Sequence, residues 1–344
     1  MKILIFLVVL ISIILIVLMC VQNSYEEFED TSSNFKVDFL TLFFDNEIEI
    51  ELLKLQALSF SLVPTSLIHE IIVCWNDVGS YAEIDSLISF YPKNLRSKVR
   101  ITNRDNIIPN EKKSDWRNQQ LCKLLLAKTI KAPYYIILDA KNHFIKPVKE
   151  NHFFTPQEHK PKLFLGNPGK MISCFDYCLK YFGISKSSLQ LSHPYSLDDP
   201  DFQFCTTTPF ILKTDIVLEM ISYMESVEKT DFSQLFKNHK EGTEFYFYIS
   251  YLIFKQYISR YDLQKKIHVT LWPDLDKEWN QIESIEQVIN QEDCAIFGLH
   301  RRALIKMEND NFEKLISFYK SHYPKNIMDK MKSSINIFRG YDID

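Results

Sequence analysis

The stretch Tyr134-Tyr135-Ile136-Ile137-Leu138-Asp139-Ala140-Lys141-Asn142-His143 follows Pro133 and gathers the densest chemistry of the chain. Its apolar half reads as a buried strand, and the strand delivers a carboxylate, an ammonium, an amide and an imidazole to one end. In open α/β sheets ligands bind outside the carboxyl ends of the strands. A carboxylate held there can grip a divalent cation or a sugar hydroxyl. Upstream, Trp116, Gln120, Lys123 and Ala127 recur at helical spacing, with Gln119 beside them, while Leu121, Leu124 and Leu125 mark another, buried side. Downstream, Thr243 is placed to cap a helix in which Glu244 and Tyr248 stand one turn apart. Further on, an apolar run from Cys294 ends in His300, Arg301 and Arg302.

Each of these groups also has a plainer reading. An Asp after a strand is often a turn cap, Gln119, Gln120 and Lys123 fit a solvated helix face, and Glu244 suits a helix start through the dipole. His300 fits a structural histidine at a strand end. The Tyr- and Phe-rich helix after Glu244 reads as core.

The elements that must position these residues alternate. Val37 to Phe44 reads as a strand, Glu49 to Leu62 as a helix closed by Pro64, and Glu70 to Asp77 as a second strand. A helix over about 81–91, a short strand over 99–102 and a helix over 114–131 follow and lead into the Tyr134 strand. That alternation is the signature of a parallel sheet in a doubly wound α/β domain. Past Pro147 the order loosens: Lys162 to Gly166 reads as a strand, 167–169 as a turn, and 206–212 re-enters apolar sequence. The segment from Phe312 to Tyr323 is amphipathic and suits a cap on the sheet. No repeat or low-complexity tract interrupts the chain.

Bulk composition excludes several classes. Seven glycines in 344 residues is about 2%, against roughly 7% in average usage, and neither Gly-x-Gly-x-x-Gly nor Gly-Lys-Ser/Thr occurs. Any phosphate must therefore be met by side chains or a metal. A net charge of -4 argues against nucleic acid. The seven cysteines are scattered, lack a Cys-x-x-Cys pair and read as core thiols. The uncharged run from Ile3 to Val21 would span roughly 28 Å as a helix, close to a bilayer's hydrocarbon core. It lacks a small-residue cleavage site, so 1–22 is expected to be an uncleaved single-pass anchor and 23–35 an acidic linker. The expected orientation puts the amino terminus in the cytosol and the body lumenal or extracytoplasmic. The absence of any Asn-x-Ser/Thr sequon keeps a cytosolic body open.

Taken in order, Trp116-x-x-Gln119-Gln120-x-x-Lys123, Tyr135 to Phe144, Thr243-Glu244-Phe-x-x-Tyr248 and His300-Arg301-Arg302 resemble a family of uncharacterised glycosyltransferase-like proteins found near bacterial capsule and surface-polysaccharide genes. The likeness runs from about Val37 to Leu304. It implies a Rossmann-like GT-A α/β/α sandwich with a mostly parallel sheet over 36–304, followed by a helical extension over 305–344. It also implies transfer of a sugar from a nucleotide-sugar donor to a glycan or other hydroxyl acceptor. Asp139 and Glu244 are the catalytic candidates, Asp139 for donor binding and Glu244 as the base or acceptor-positioning group. Trp116, Gln119, Gln120, Lys123, Lys141, Asn142 and Arg301 would bind the donor.

The family's Asp-x-Asp motif would put a second carboxylate where this chain has Lys141, and an ammonium has no lone pair for a metal. Two accounts follow. Either Asp139, Asn142 and His300 hold a divalent Mn or Mg, which the neighbouring Asn142 and His143 favour, or Lys141 itself neutralises the diphosphate. The rival reading is a catalytically inactive, membrane-tethered glycan-binding or scaffold protein that keeps the fold.

Overall fold

The computed structural model describes residues 35–44, 47–77, 84–109, 115–167, 171–185, 203–271, 286 and 290–338. The anchor expected over 1–22, and all but Phe35 of the expected linker, lie outside the described residues. Among the described residues no helix is long and apolar enough to cross a membrane. Lys36–Asp344 forms one compact unit.

The first half alternates as its apolar spacing demands: β1 (Val37–Phe43), α1 (Glu47–Ser59), β2 (Ile68–Trp75), α2 (Ile84–Ile88), β3 (Val99–Asn103), α3 (Trp116–Leu125) and β4 (Tyr134–Asp139). β1 is buried along its whole length because it lies between two parallel neighbours, which calls for a nearly continuous apolar run. Its two polar residues are both satisfied. Asp38 contacts the His69 Nδ1 at 2.7 Å, and the Thr41 hydroxyl donates to Gln56 Oε1 at 2.8 Å.

After β4 come β5 (Asn142–Phe144), β6 (Lys162–Gly166), α4 (Ile172–Tyr181), β7 (Gln203–Phe204), β8 (Phe210–Lys213), α5 (Thr214–Glu228), α6 (Phe232–Asn238) and α7 (Glu244–Phe254). The chain closes with β9 (Asp262–Lys265), β10 (Val269–Leu271), β11 (Ile296–Leu299), α8 (Arg301–Ile305), α9 (Asn309–Lys320) and α10 (Lys325–Ile337).

The central sheet has the order β3-β2-β1-β4-β8, with β1 to β4 parallel and β8 antiparallel at the edge. The protein is thus a mixed α/β fold on a mostly parallel sheet. The order reverses between β1 and β4, where Leu42 sits in register with Asp139. A crevice is expected outside the carboxyl ends of the two strands at such a switch point. Two small sheets, β10-β11-β5 and β7-β6-β9, extend the fold past β4.

The helix expected over 114–131 is shorter in the structure. α3 stops at Leu125 and tightens into a 3-10 turn over Leu126–Lys128, with the Thr129 hydroxyl donating to the Leu126 carbonyl at 3.0 Å. Two β-branched residues and then Pro133 follow, and a proline leaves no N–H to carry a helix on. α7 is buried from Glu244 to Leu252, as its aromatic sequence requires. α9 and α10 form part of the body. Tyr319 bonds the His143 Nε2, the Tyr323 hydroxyl donates to the Phe144 carbonyl, and the tail thereby covers β5. Of the six described cysteines all are free thiols, five of them buried.

Candidate active site

The β4–β5 turn carries Asp139 to Asn142, and Gln56 holds it from beneath. The Gln56 side-chain amide donates to the Asp139 carbonyl at 2.8 Å and to the Asn142 carbonyl at 2.9 Å. The Asn142 Oδ1 in turn accepts the Asp139 N–H at 2.8 Å, and the Leu299 N–H of β11 donates to the Lys141 carbonyl at 2.9 Å. A turn fixed at four backbone groups presents Asp139 and Lys141 upward at the switch point.

A row of alternating charges crosses that point. The Lys123 ammonium of α3 lies 3.1 Å from Glu244 and 3.5 Å from Asp139, and Lys141 contacts the other Asp139 oxygen. The Thr208 hydroxyl donates to that same oxygen at 2.9 Å. Burial alone would raise the Asp139 pKa. The two ammonium groups and the bonds from Lys141 and Thr208 outweigh it and hold the carboxyl well below the usual range. Burial likewise opposes the charge on Lys123, but Glu244 and Asp139 together raise its pKa above the ordinary lysine value.

These residues line a cleft of about 460 Å³, the size of a small-ligand site. Trp116, at the first turn of α3, is 57% exposed on its rim. Gln119 reaches the Leu42 carbonyl at 3.4 Å. Gln120 is buried and accepts from Arg117 at 3.1 Å. Arg117 also donates to the Phe236, His239 and Gly242 carbonyls and lies over the Phe236 ring, so α3 is tied to the loop that leads into Thr243 and Glu244. Thr243 caps α7 through the Tyr246 N–H at 3.4 Å. Arg301 and His300 line the cleft from the start of α8, where His300 Nδ1 accepts the Arg302 N–H at 3.3 Å and Arg301 pairs with Glu49 at 3.2 Å.

The structure thus brings Trp116, Gln119, Gln120, Lys123, Asp139, Lys141, Glu244, His300 and Arg301 to one cleft. It does not bring Asn142 there. That side chain is 1% exposed and its oxygen is spent on the Asp139 N–H. The neighbouring His143 is turned into the core against Tyr319, and burial lowers its pKa to about 4.

The expected ligand set of Asp139, Asn142 and His300 therefore does not fit a divalent cation. Asn142 is withdrawn, both Asp139 oxygens face ammonium groups, and the His300 Nδ1 is engaged as a helix cap. Among the described residues no group of three His, Cys, Asp or Glu side chains is placed to hold a metal.

Sequence reasoning missed Glu49, Thr208 and Arg117. Glu49 read as a helix start, and Arg117 was overshadowed by Trp116. Only the Thr206-Thr207-Thr208 triplet before an apolar run offered a signal.

Residues 66–275 match the family of unknown function DUF6492. No curated protein matches the sequence. Among solved structures, the galactosyltransferase LgtC in complex with donor and acceptor sugar analogues is 11% identical with a TM-score of 0.44, over 86% of this chain and 100% of that one. Mouse xyloside xylosyltransferase 1 is 12% identical with a TM-score of 0.40, over 76% and 97%. The bifunctional glycosyltransferase WbbM is 13% identical with a TM-score of 0.44, over 88% of this chain and 52% of that one.

Proposed function

The chain belongs to the DUF6492 family, whose description names no activity, and we propose from the cleft that it is a GT-A-type glycosyltransferase moving a sugar from a nucleotide-sugar donor to a glycan or other hydroxyl acceptor. The observation that carries this reading is Asp139 at the carboxyl end of β4, beside β1, with an ammonium on each of its oxygens. The ordered sequence motifs that resemble glycosyltransferase-like proteins converge on that same point.

Sugar transfer needs the charge of the departing diphosphate stabilised by groups already in place. Lys141 and Arg301 supply that charge from the cleft wall, and Lys123 fixes Asp139 and Glu244 behind them. Asp139 orients the donor through its hydroxyls. Trp116 offers a face on which a sugar or base stacks. No step in this scheme passes through a metal.

The apolar run 3–21 supports attachment to a membrane by a single amino-terminal span with the body on the lumenal or extracytoplasmic side. The full-length chain should then sediment with membranes and resist extraction by alkaline carbonate.

A second reading is favoured by Lys141 itself: a tethered glycan-binding or scaffold protein that has lost the family's paired carboxylates. Incubating the full-length chain with a panel of nucleotide sugars separates the two. A transferase releases nucleoside diphosphate slowly even without acceptor. Binding of glycans with no release from any donor would replace the transferase reading with the scaffold.

A further inference from the structure

We propose that Glu49 is the general base of the cleft, the group that takes the proton from the acceptor hydroxyl. The inference rests on the transferase reading above and assigns a residue that the motifs do not contain. Among the described residues three carboxylates line the cleft: Glu49, Asp139 and Glu244. Two of them are committed elsewhere. Both Asp139 oxygens are engaged, by Lys123 on one side and by Lys141 and Thr208 on the other. Glu244 is 4% exposed and its Oε1 is held by the buried Lys123, so a proton placed on it would leave that ammonium without its nearest counter-charge.

Glu49 is less fully engaged than either. It stands in the first turn of α1, its side chain is 21% exposed against 5% for Glu244, and it pairs with Arg301 at 3.2 Å where Asp139 meets two ammonium groups and a hydroxyl. The charged groups that face it are Arg301 from α8 and Asp139 and Lys141 from the end of β4, with His300 in the same cleft. On its own helix Glu51 pairs with Lys54. Burial raises the affinity of Glu49 for a proton and the Asp139 charge adds to it, while Arg301 and Lys141 oppose. One carboxyl of the cleft is thus held ionised and another is poised to accept a proton. That separation of environments is how paired carboxyls divide acid and base roles.

The step balances without a co-reactant. The acceptor oxygen forms its bond to the anomeric carbon, the bond from that carbon to the diphosphate oxygen breaks, and its electron pair leaves with the nucleoside diphosphate. The hydroxyl proton passes to the Glu49 carboxylate and later to water.

The test uses the full-length chain, Glu49→Gln and Glu49→Asp, with binding of UDP and GDP followed by calorimetry and turnover measured against pH. We expect Glu49→Gln to keep nucleoside diphosphate affinity within about threefold, since its amide oxygen can still meet Arg301. Turnover should fall by about a hundredfold or more, with loss of the acid limb of the rate profile. Glu49→Asp should retain that limb at a lower rate. Turnover by Glu49→Gln within about fivefold of the parent would overturn the assignment and leave the transferase reading intact. So would a parallel loss of binding and turnover in both variants, which would make Glu49 only an anchor for Arg301. A parent chain that neither binds nor turns over any nucleotide overturns both.

Discussion

Lys123 and Glu244 lie 121 residues apart in the chain and 3.1 Å apart in the fold. Their pair joins α3 to α7, and Asp139 shares the same ammonium. Removing one member of a buried pair leaves the other charge without compensation, at a cost of roughly 3–5 kcal/mol. Lys123→Met leaves two carboxylates facing each other and should be the most destabilising change in the row. Adding Glu244→Gln removes one of them, so the double variant should be more stable than the sum of the single changes by about 1–3 kcal/mol. Urea unfolding of the four proteins gives the coupling directly. Simple additivity would mean that the pair is not held in solution.

Arg117 presents a planar fork to carbonyls of Phe236, His239 and Gly242, a geometry that lysine cannot copy. Gly242 is close-packed as well, since a Cβ there would lie 2.3 Å from the Phe247 ring. Arg117→Lys should therefore loosen residues 236–243 and cost about 1–3 kcal/mol. Amide exchange should report it as lost protection in that loop before the rest of α7 opens. Unchanged exchange there would show that the loop holds itself.

The sheet was legible where apolar runs were long and buried. Val37 to Phe44, Glu70 to Asp77 and Tyr134 to Leu138 all became strands of the central sheet, and Thr243 became a helix cap. The short strand Asn142–Phe144 was not, because three residues carry no period and its pairing to β11 comes from more than 150 positions downstream. The charged row was half legible. Asp139 and Lys141 are neighbours in sequence, whereas the contacts of Gln56, Glu49 and Arg117 depend on tertiary placement. Asn142 misled because its position beside Asp139 suggests a ligand, when its oxygen instead closes the turn. Helices α4 to α6 lie in the loosened region past Pro147 and were not read from the sequence, although α5 buries Ile216, Val217, Met220, Ile221 and Met224 at helical spacing.

His143 should make stability depend on pH in a defined window. In the folded protein burial lowers its pKa to about 4, against an ordinary value of 6.5. Between those values the unfolded chain binds the proton and the folded chain does not, so stability rises with pH across that window and is lost as pH falls from 6.5 to about 4. The full effect is about 3 kcal/mol. Asp139 acts in the same direction at lower pH, where protonation removes the charge that its two lysines hold. His143→Gln should reduce the slope between pH 6.5 and 4 by one histidine's share, leaving the contributions of His268 and His152, whose pKa values burial also lowers, and the decline below pH 4. An unchanged slope in that variant would assign the window to other groups.

The last expectation concerns the charge that meets the donor. Lys141 stands where a second carboxylate would bind a metal, Asn142 is spent within the turn, and Asp139 carries an ammonium on either side. A divalent cation entering that point would meet two positive charges before it met an unshared carboxylate. A fixed ammonium in a partly dry cleft stabilises developing phosphate charge by several kcal/mol, so Lys141→Ala should lower donor turnover by about a hundredfold or more. Chelation by EDTA should leave the rate of the parent chain within about twofold, and added manganese should not restore Lys141→Ala. The converse result, with EDTA abolishing turnover and Lys141→Ala tolerated, would show that the donor charge is met by a metal held through other groups. Should neither change alter nucleotide-sugar binding or turnover by threefold, the donor site lies away from the β4–β5 turn.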